Sequence, residues 1–269
     1  MNIVIKRYSI IIFLIFQSLP NLIYSQVLNI EDPSVPLDSL KKNDLRWGLS
    51  LSGNVNKQSI LVYDAGIVSE IVYHRNDKHQ LLLNGRYFKS GTSNGVLINS
   101  GFYYVRFTPW FHQRIAPQFF AQQQIDEGRG MLSRTLYGAN LRWDITRKEK
   151  LSAQYSVGLM YEQEKWNLSG STDANAGLAQ FNRIKVNNVL RLNADIAKHI
   201  EVSLVNFLQF PPSSKNFSLR LTTQLNLTFK ITTWFSVQVN YQSMYDTHPV
   251  IDIPSYYYTT SGGIGIMRE

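Results

Sequence analysis

The chain has 269 residues, with 27 Lys plus Arg against 19 Asp plus Glu and no cysteine. That length allows one large β domain or two small domains. The missing thiols exclude a disulfide framework, a cysteine nucleophile, a cysteine zinc site and a lipoprotein anchor. The net charge of +8 is spread along the sequence without a basic block, so no nucleic-acid partner is expected.

In chain order, residues 1–25 read as a signal peptide. Lys6 and Arg7 form a positive flank, Ile10–Phe16 is unbroken apolar sequence, Pro20 and Asn21 interrupt it, and Ser25 is small enough to precede the cut. The apolar stretch is too short to span a bilayer. Cleavage before Gln26 places Ile23, larger than the usual small residue, at position −3 and leaves a charge of +6. Residues 26–44, polar and carrying Pro33 and Pro36, read as a periplasmic leader. No later segment approaches ~18 consecutive apolar residues, so a membrane location requires strands.

From Leu45 to the end, residues 45–269, segments of ten or more residues alternate apolar and polar between turn residues. Leu151, Ala153, Tyr155, Val157, Leu159 and Tyr161 alternate with Ser152, Gln154, Ser156, Gly158 and Met160, and Glu162 follows in phase. Phe217–Phe229, Phe235–Tyr245 and Ile184–Ala194 behave alike. A period of two puts each set on one face of a sheet. Soluble sandwich strands are typically ~5–6 residues long, whereas tilted membrane strands need ~9–11. Short turns (Arg75–Lys78, Thr108–Phe111, Thr146–Lys150, Ala197–Ile200, Ile231–Thr233) alternate with six longer polar connections: Asn54–Gln58, Ser90–Gly95, Asp126–Gly130, Trp166–Phe181, Pro211–Asn216 and Asp246–Pro254. The expected fold is all-β: a closed antiparallel transmembrane β-barrel of about twelve strands with both termini periplasmic.

Phase then assigns the faces. Asp64, Glu70, Arg86, Arg134, Arg142, Arg191 and Arg220 are expected to line the lumen, as are Arg106, Lys185 and Glu201. Trp47, Trp110, Trp143 and Trp234 beside short turns, and Trp166 near the opposite ends, are expected to form interface girdles. The phase of Val96–Phe107 is ambiguous, because Val96, Ile98, Phe102 and Tyr104 share the face of Arg106. Pro117, inside a strand, predicts a bulge or kink. The lumen has two readings. Its arginines line a pore that favours anions, or they pair with Asp64, Glu70, Glu201 and amides to plug a barrel narrower than the large porins.

No catalytic, phosphate-binding or calcium-loop spacing occurs. His74, His79, His112, His199 and His248 are scattered over different turns and form no metal-ligand spacing. Ser243, Asp246 and His248 lie on a strand end and loop with nothing to orient them as a triad. The expectation is a non-enzymatic protein with no cofactor and no metal. Its partners would be outer-membrane lipid, the barrel-assembly machinery during insertion and, for an open lumen, small anionic solutes.

The Gln-rich run at Gln122–Gln124, the loop that follows, then Arg134, Leu136, Gly138, Leu141, Arg142 and the pair Tyr161-Glu162, resembles the salt-induced outer-membrane protein family. That family is a set of β-barrels of unknown function with the pattern R-x-L-x-G-x-G-L-R. Asn140 replaces the second glycine, and the chain ends Met267-Arg268-Glu269 instead of on an aromatic assembly signal. Either the last strand closes differently or Tyr256–Tyr258 serves for recognition. The resemblance implies an outer-membrane location and an envelope or stress-related role. A small anion-preferring channel is the alternative and an outer-membrane hydrolase a third reading.

Overall fold

The computed structural model describes residues 43–57, 61–75, 78–148, 150–168, 177–213, 217–232, 235–250 and 254–266. The signal peptide, nearly all of the leader, and Trp234 lie outside the described residues. Twelve strands are described: β1 (Asn43–Lys57), β2 (Leu61–Arg75), β3 (His79–Thr92), β4 (Gly95–Pro109), β5 (Ile115–Asp126), β6 (Met131–Lys148), β7 (Leu151–Asn167), β8 (Leu178–Ala197), β9 (Ile200–Phe210), β10 (Arg220–Lys230), β11 (Phe235–Asp246) and β12 (Tyr256–Ile266). They form one antiparallel sheet in chain order, each strand paired with its sequence neighbours. Among the described residues no ladder joins β12 to β1.

The sheet curls back on itself. In a flat sheet, at ~4.8 Å per strand, β6 and β12 would stand about 30 Å apart. Instead the guanidinium of Arg129, in the turn before β6, sits 4.3 Å from the ring centre of Tyr257 on β12. Curling separates a concave from a convex face, and alternation assigns residues to each. Gln118, Gln122, Arg134, Arg142, Glu162, Lys185 and Arg220 are buried inside, while Leu49, Leu141, Leu159 and Ile184 stay more than half exposed on the convex wall. This is the reverse of a water-soluble sheet, whose apolar face is the buried one.

The same alternation settles β4. Phe102 and Ser100 are buried on the concave side, and Tyr103 and Phe107 are exposed on the other. The concave face therefore also carries apolar residues, including Leu82, Leu136, Met160, Val189 and Val205.

Two expectations about local structure are corrected. Pro117 produces no bulge: the β5–β6 register runs unbroken through Pro117↔Leu141. Pairing of β5 with β4 extends only as far as Phe119↔Phe107, so beyond that point one side of β5 is free and a missing N–H costs no ladder bond. Register shifts occur instead at Ser90/Gly91, Gln124/Asp126, Met131/Ser133, Asp144/Thr146 and Asp195/Ala197.

The long connections are also fewer than expected. Residues 168–177, 211–219 and 247–255 are long, but the first three links at that rim are residues 58–60, 93–94 and 127–130. Asn54 and Ser90 continue the strands, Asn54 paired with Asp64 and Ser90 buried on the concave side. Gly130 closes the third link in the left-handed region (φ 77°), donating its N–H to the Glu127 carbonyl, a conformation that a Cβ would disfavour.

Candidate functional site

The concave face carries two polar clusters, one toward each rim, with a small cavity between them. The first is built on β7, where Glu162 and Glu164, two residues apart, point to the same side. Arg134 is the register partner of Glu164 on β6, and Arg220 the partner of Asp246 across β10 and β11. Arg134 Nη2 lies 2.5 Å from Glu162 Oε1, and its Nε 3.3 Å from Glu164 Oε1. Lys185 Nζ on β8 is 2.5 Å from Glu162 Oε2. Arg220 Nη1 reaches Glu162 and Glu164 at 2.9 and 3.1 Å, and its Nε donates to Asp246 at 2.9 Å. Trp166 Nε1 donates to Glu164 Oε2 at 3.2 Å. Three cations thus meet three carboxylates, nearly all sealed from solvent, so the charges compensate locally. Compensation is required, because a lone buried charge costs several kcal/mol.

The second cluster lies at the rim of short turns. The β4–β5 turn folds inward and buries Phe111, with Trp110 taking a positive φ of 50° at its start. Arg142 Nη2 donates to the carbonyl of Phe111 and, at 3.0 Å, to that of Gln113. It also lies 3.2 Å from Asp144, which pairs with Arg147 as well. Both guanidinium groups stand over the Phe111 ring, at 5.0 and 5.5 Å, and His74 meets that ring edge-on at 4.8 Å. Guanidinium over an aromatic face is attractive, and more so when desolvated. This turn covers the concave face at that rim beside His74, Arg142 and Arg147.

Between the clusters lies a cavity of about 40 Å³ bordered by Tyr104, Phe120, Gln122, Asn140, Asn187 and Arg191. Its amides are interlinked: Asn187 donates to Asn140 at 3.4 Å and Gln209 to Asn187 at 3.1 Å. That space has room for a few waters. Among the described residues no three His, Asp or Glu side chains gather as metal ligands.

The expected site residues are placed as follows. Arg134, Arg142 and Arg220 are buried in the two clusters, Arg191 borders the cavity, Asp64 and Glu70 are half-buried on the concave side of β2, and Arg86 is exposed on β3. Trp47, Trp110 and Trp143 are exposed near the short-turn rim. Trp166 is a correction. It is only 3% exposed and belongs to the first cluster, because it shares the phase of Glu162 and Glu164. Sequence reasoning missed Glu164, Asp246, Asp144 and Phe111. Continuing the period of two past Glu162 finds Glu164 and Trp166. Nothing in the sequence indicates that a short turn folds inward.

These features define an all-β protein, a single antiparallel meander with charge held inside and aliphatic side chains outside. The chain belongs to the family described as "Protein of unknown function, DUF481", which it matches over residues 48–262. Among solved structures it is similar to one titled "NanC porin structure in rhombohedral crystal form", at 10% identity and a TM-score of 0.45, covering 82% of this chain and 99% of that one. No curated protein matches the chain.

Proposed function

We propose that this protein is a bacterial outer-membrane β-barrel in which β12 closes on β1 and the lumen is plugged by its two charge clusters. The observation that carries this reading is the reversed polarity of the sheet: a wall of exposed aliphatic side chains around a buried ionic interior. Strands of 11 to 20 residues meet the length a tilted crossing needs. Short turns then face the periplasm and the three long connections face outward. Asn43 and Ile266 both sit at the short-turn rim, which agrees with periplasmic ends.

The role that fits is non-enzymatic, in envelope maintenance or stress, as the resemblance to salt-induced barrels implies. Lipid and the assembly machinery are its partners. The alternative, an anion-preferring channel, requires surplus lumen arginines. With Arg134, Lys185 and Arg220 matched by Glu162, Glu164 and Asp246, little of that surplus is left in the first cluster. The test has two arms. Fractionation with N-terminal sequencing should recover cleaved, heat-modifiable protein in the outer membrane, and cytosolic uncleaved protein would end the reading. Planar bilayers should stay silent at high protein loading. Steady conductance with an anion-biased reversal potential would favour the channel.

A further inference from the structure

The short-turn rim carries a row of cations that neither cluster uses. Its turns are laced edge to edge by backbone hydrogen bonds. Phe111 N–H donates to the Lys78 carbonyl, Asp144 to Arg114, Asp195 to Lys150, and Lys230 to His199, at 2.8 to 3.0 Å. The lacing holds neighbouring hairpins in a fixed order and sets Arg75, Lys78, Arg114, Lys148, Lys150 and Lys198 along it, all exposed. Asp195 and the half-exposed Glu201 are carboxylates of this rim, Asp44 stands at its edge on β1, and Asp77 and Glu149 occur in the same turns of the sequence. Lys230 with Glu201 and Arg147 with Asp144 are paired internally.

Next to the cations stand the exposed aromatics Trp143 and Phe107 on the convex wall and Trp110 in the β4–β5 turn, with Arg114 5.8 Å from the Trp143 ring. Aromatics mark the boundary between hydrocarbon and headgroups. Long cationic side chains just beyond that boundary lie at the level of lipid phosphates.

We infer that this rim binds the anionic headgroups of phospholipids in the leaflet it faces. The inference rests on the membrane reading above. The juxtaposition of laced cationic turns with an aromatic belt selects a lipid over a soluble acidic partner, since a soluble partner gains nothing from the belt.

The test uses full-length protein refolded in micelles with equal phosphatidylglycerol and phosphatidylcholine, with retained lipids counted by native mass spectrometry. Wild type should retain phosphatidylglycerol preferentially, and less of it as salt rises. Lys148→Gln, Lys150→Gln and Lys198→Gln combined should weaken retention about fivefold per lysine. Lys57→Gln with Lys165→Gln, on the opposite rim, should leave it unchanged. Equal retention of both lipids, an unaffected triple variant, or an equal loss in the control pair overturns the proposal. So does displacement of the lipid by poly-glutamate, which would indicate an acidic polypeptide, or by inorganic phosphate, which would indicate a free-anion site. Failure to become heat-modifiable in any lipid overturns the membrane reading and this one with it. Insertion without lipid preference overturns this one alone.

Discussion

Replacing Glu162 by Gln tests whether the ionic interior is a balanced unit. Glu162 is 1% exposed and is contacted by Arg134 and Lys185 at 2.5 Å and by Arg220 at 2.9 Å. The amide keeps the shape and removes the charge, leaving three cations against Glu164 and Asp246. Removing one partner of a buried pair typically costs about 3–5 kcal/mol, mostly because the remaining charge is desolvated without compensation. The exposed pair Lys230–Glu201 supplies the internal standard, with both side chains 40% accessible. Glu201→Gln should cost under about 1 kcal/mol. Rebalancing is the decisive arm. Glu162→Gln combined with Lys185→Met restores equal numbers of charges and should recover most of the loss, since buried ion pairs are often no better than well-packed apolar replacements. Urea unfolding of refolded protein, followed by tryptophan fluorescence and gel mobility, gives all four free energies. If Glu162→Gln costs no more than Glu201→Gln, or the double variant is no more stable than the single, the interior is not a charge-balanced plug.

Leu159, 56% exposed on the convex wall, should tolerate Leu159→Arg at a cost of about 2–4 kcal/mol if it lies near the membrane midplane. A neutral result in a lipid-based unfolding assay would mean that the facing is wrong. Phe111→Ala should cost about 3–5 kcal/mol in the same urea titration, because the buried ring is packed under two guanidinium groups; unchanged stability would argue against the inward turn. A Cβ at Gly158 would collide with the Ala139 carbonyl oxygen. Gly158→Ala should therefore force the β6–β7 backbones apart and lower stability by about 1–3 kcal/mol, measured by the same urea titration. Trp166→Phe keeps the ring but leaves Glu164 Oε2 without its indole donor, and should cost about 1–3 kcal/mol. A girdle tryptophan at that position would show almost no change.

Strand positions and facing are legible because alternation with a period of two is a strong signal when one face is apolar and exposed and the other encloses buried charge. Leu151–Tyr161 states it almost without exception, and the observed β7 follows it to Trp166. At Trp166 phase overrides residue type. A tryptophan near a strand end reads as interface, but its even number places it with Glu162 and Glu164. The carboxylates that balance the arginines were missed for a related reason. Asp246 was read as part of a loop, although it continues the concave series of β11 and is hydrogen-bonded by Arg220. Loop lengths were overestimated where polar residues such as Ser90 continue a strand facing a polar interior. The departure from the family pattern at Asn140 also has a local explanation. Its cross-strand partner is Gly158, whose missing side chain leaves the space Asn140 occupies. What no local pattern encodes is the inward fold of Phe111, which depends on Arg142 and Arg147 more than thirty residues away.

The strand order has a kinetic consequence. Because every described ladder joins consecutive strands, the sheet can grow hairpin by hairpin, with even the longest link, residues 168–177, joining strands adjacent in sequence. The contacts that span the curl are different in kind: Arg220 to Glu162 is separated by 58 residues, and Arg129 to Tyr257 joins the turn before β6 to the last strand. Such contacts form only after most strands are in place. The charge cluster then acts late, as a lock on the finished structure. Variants that weaken it should leave the rate of strand assembly nearly unchanged and appear mainly as faster unfolding.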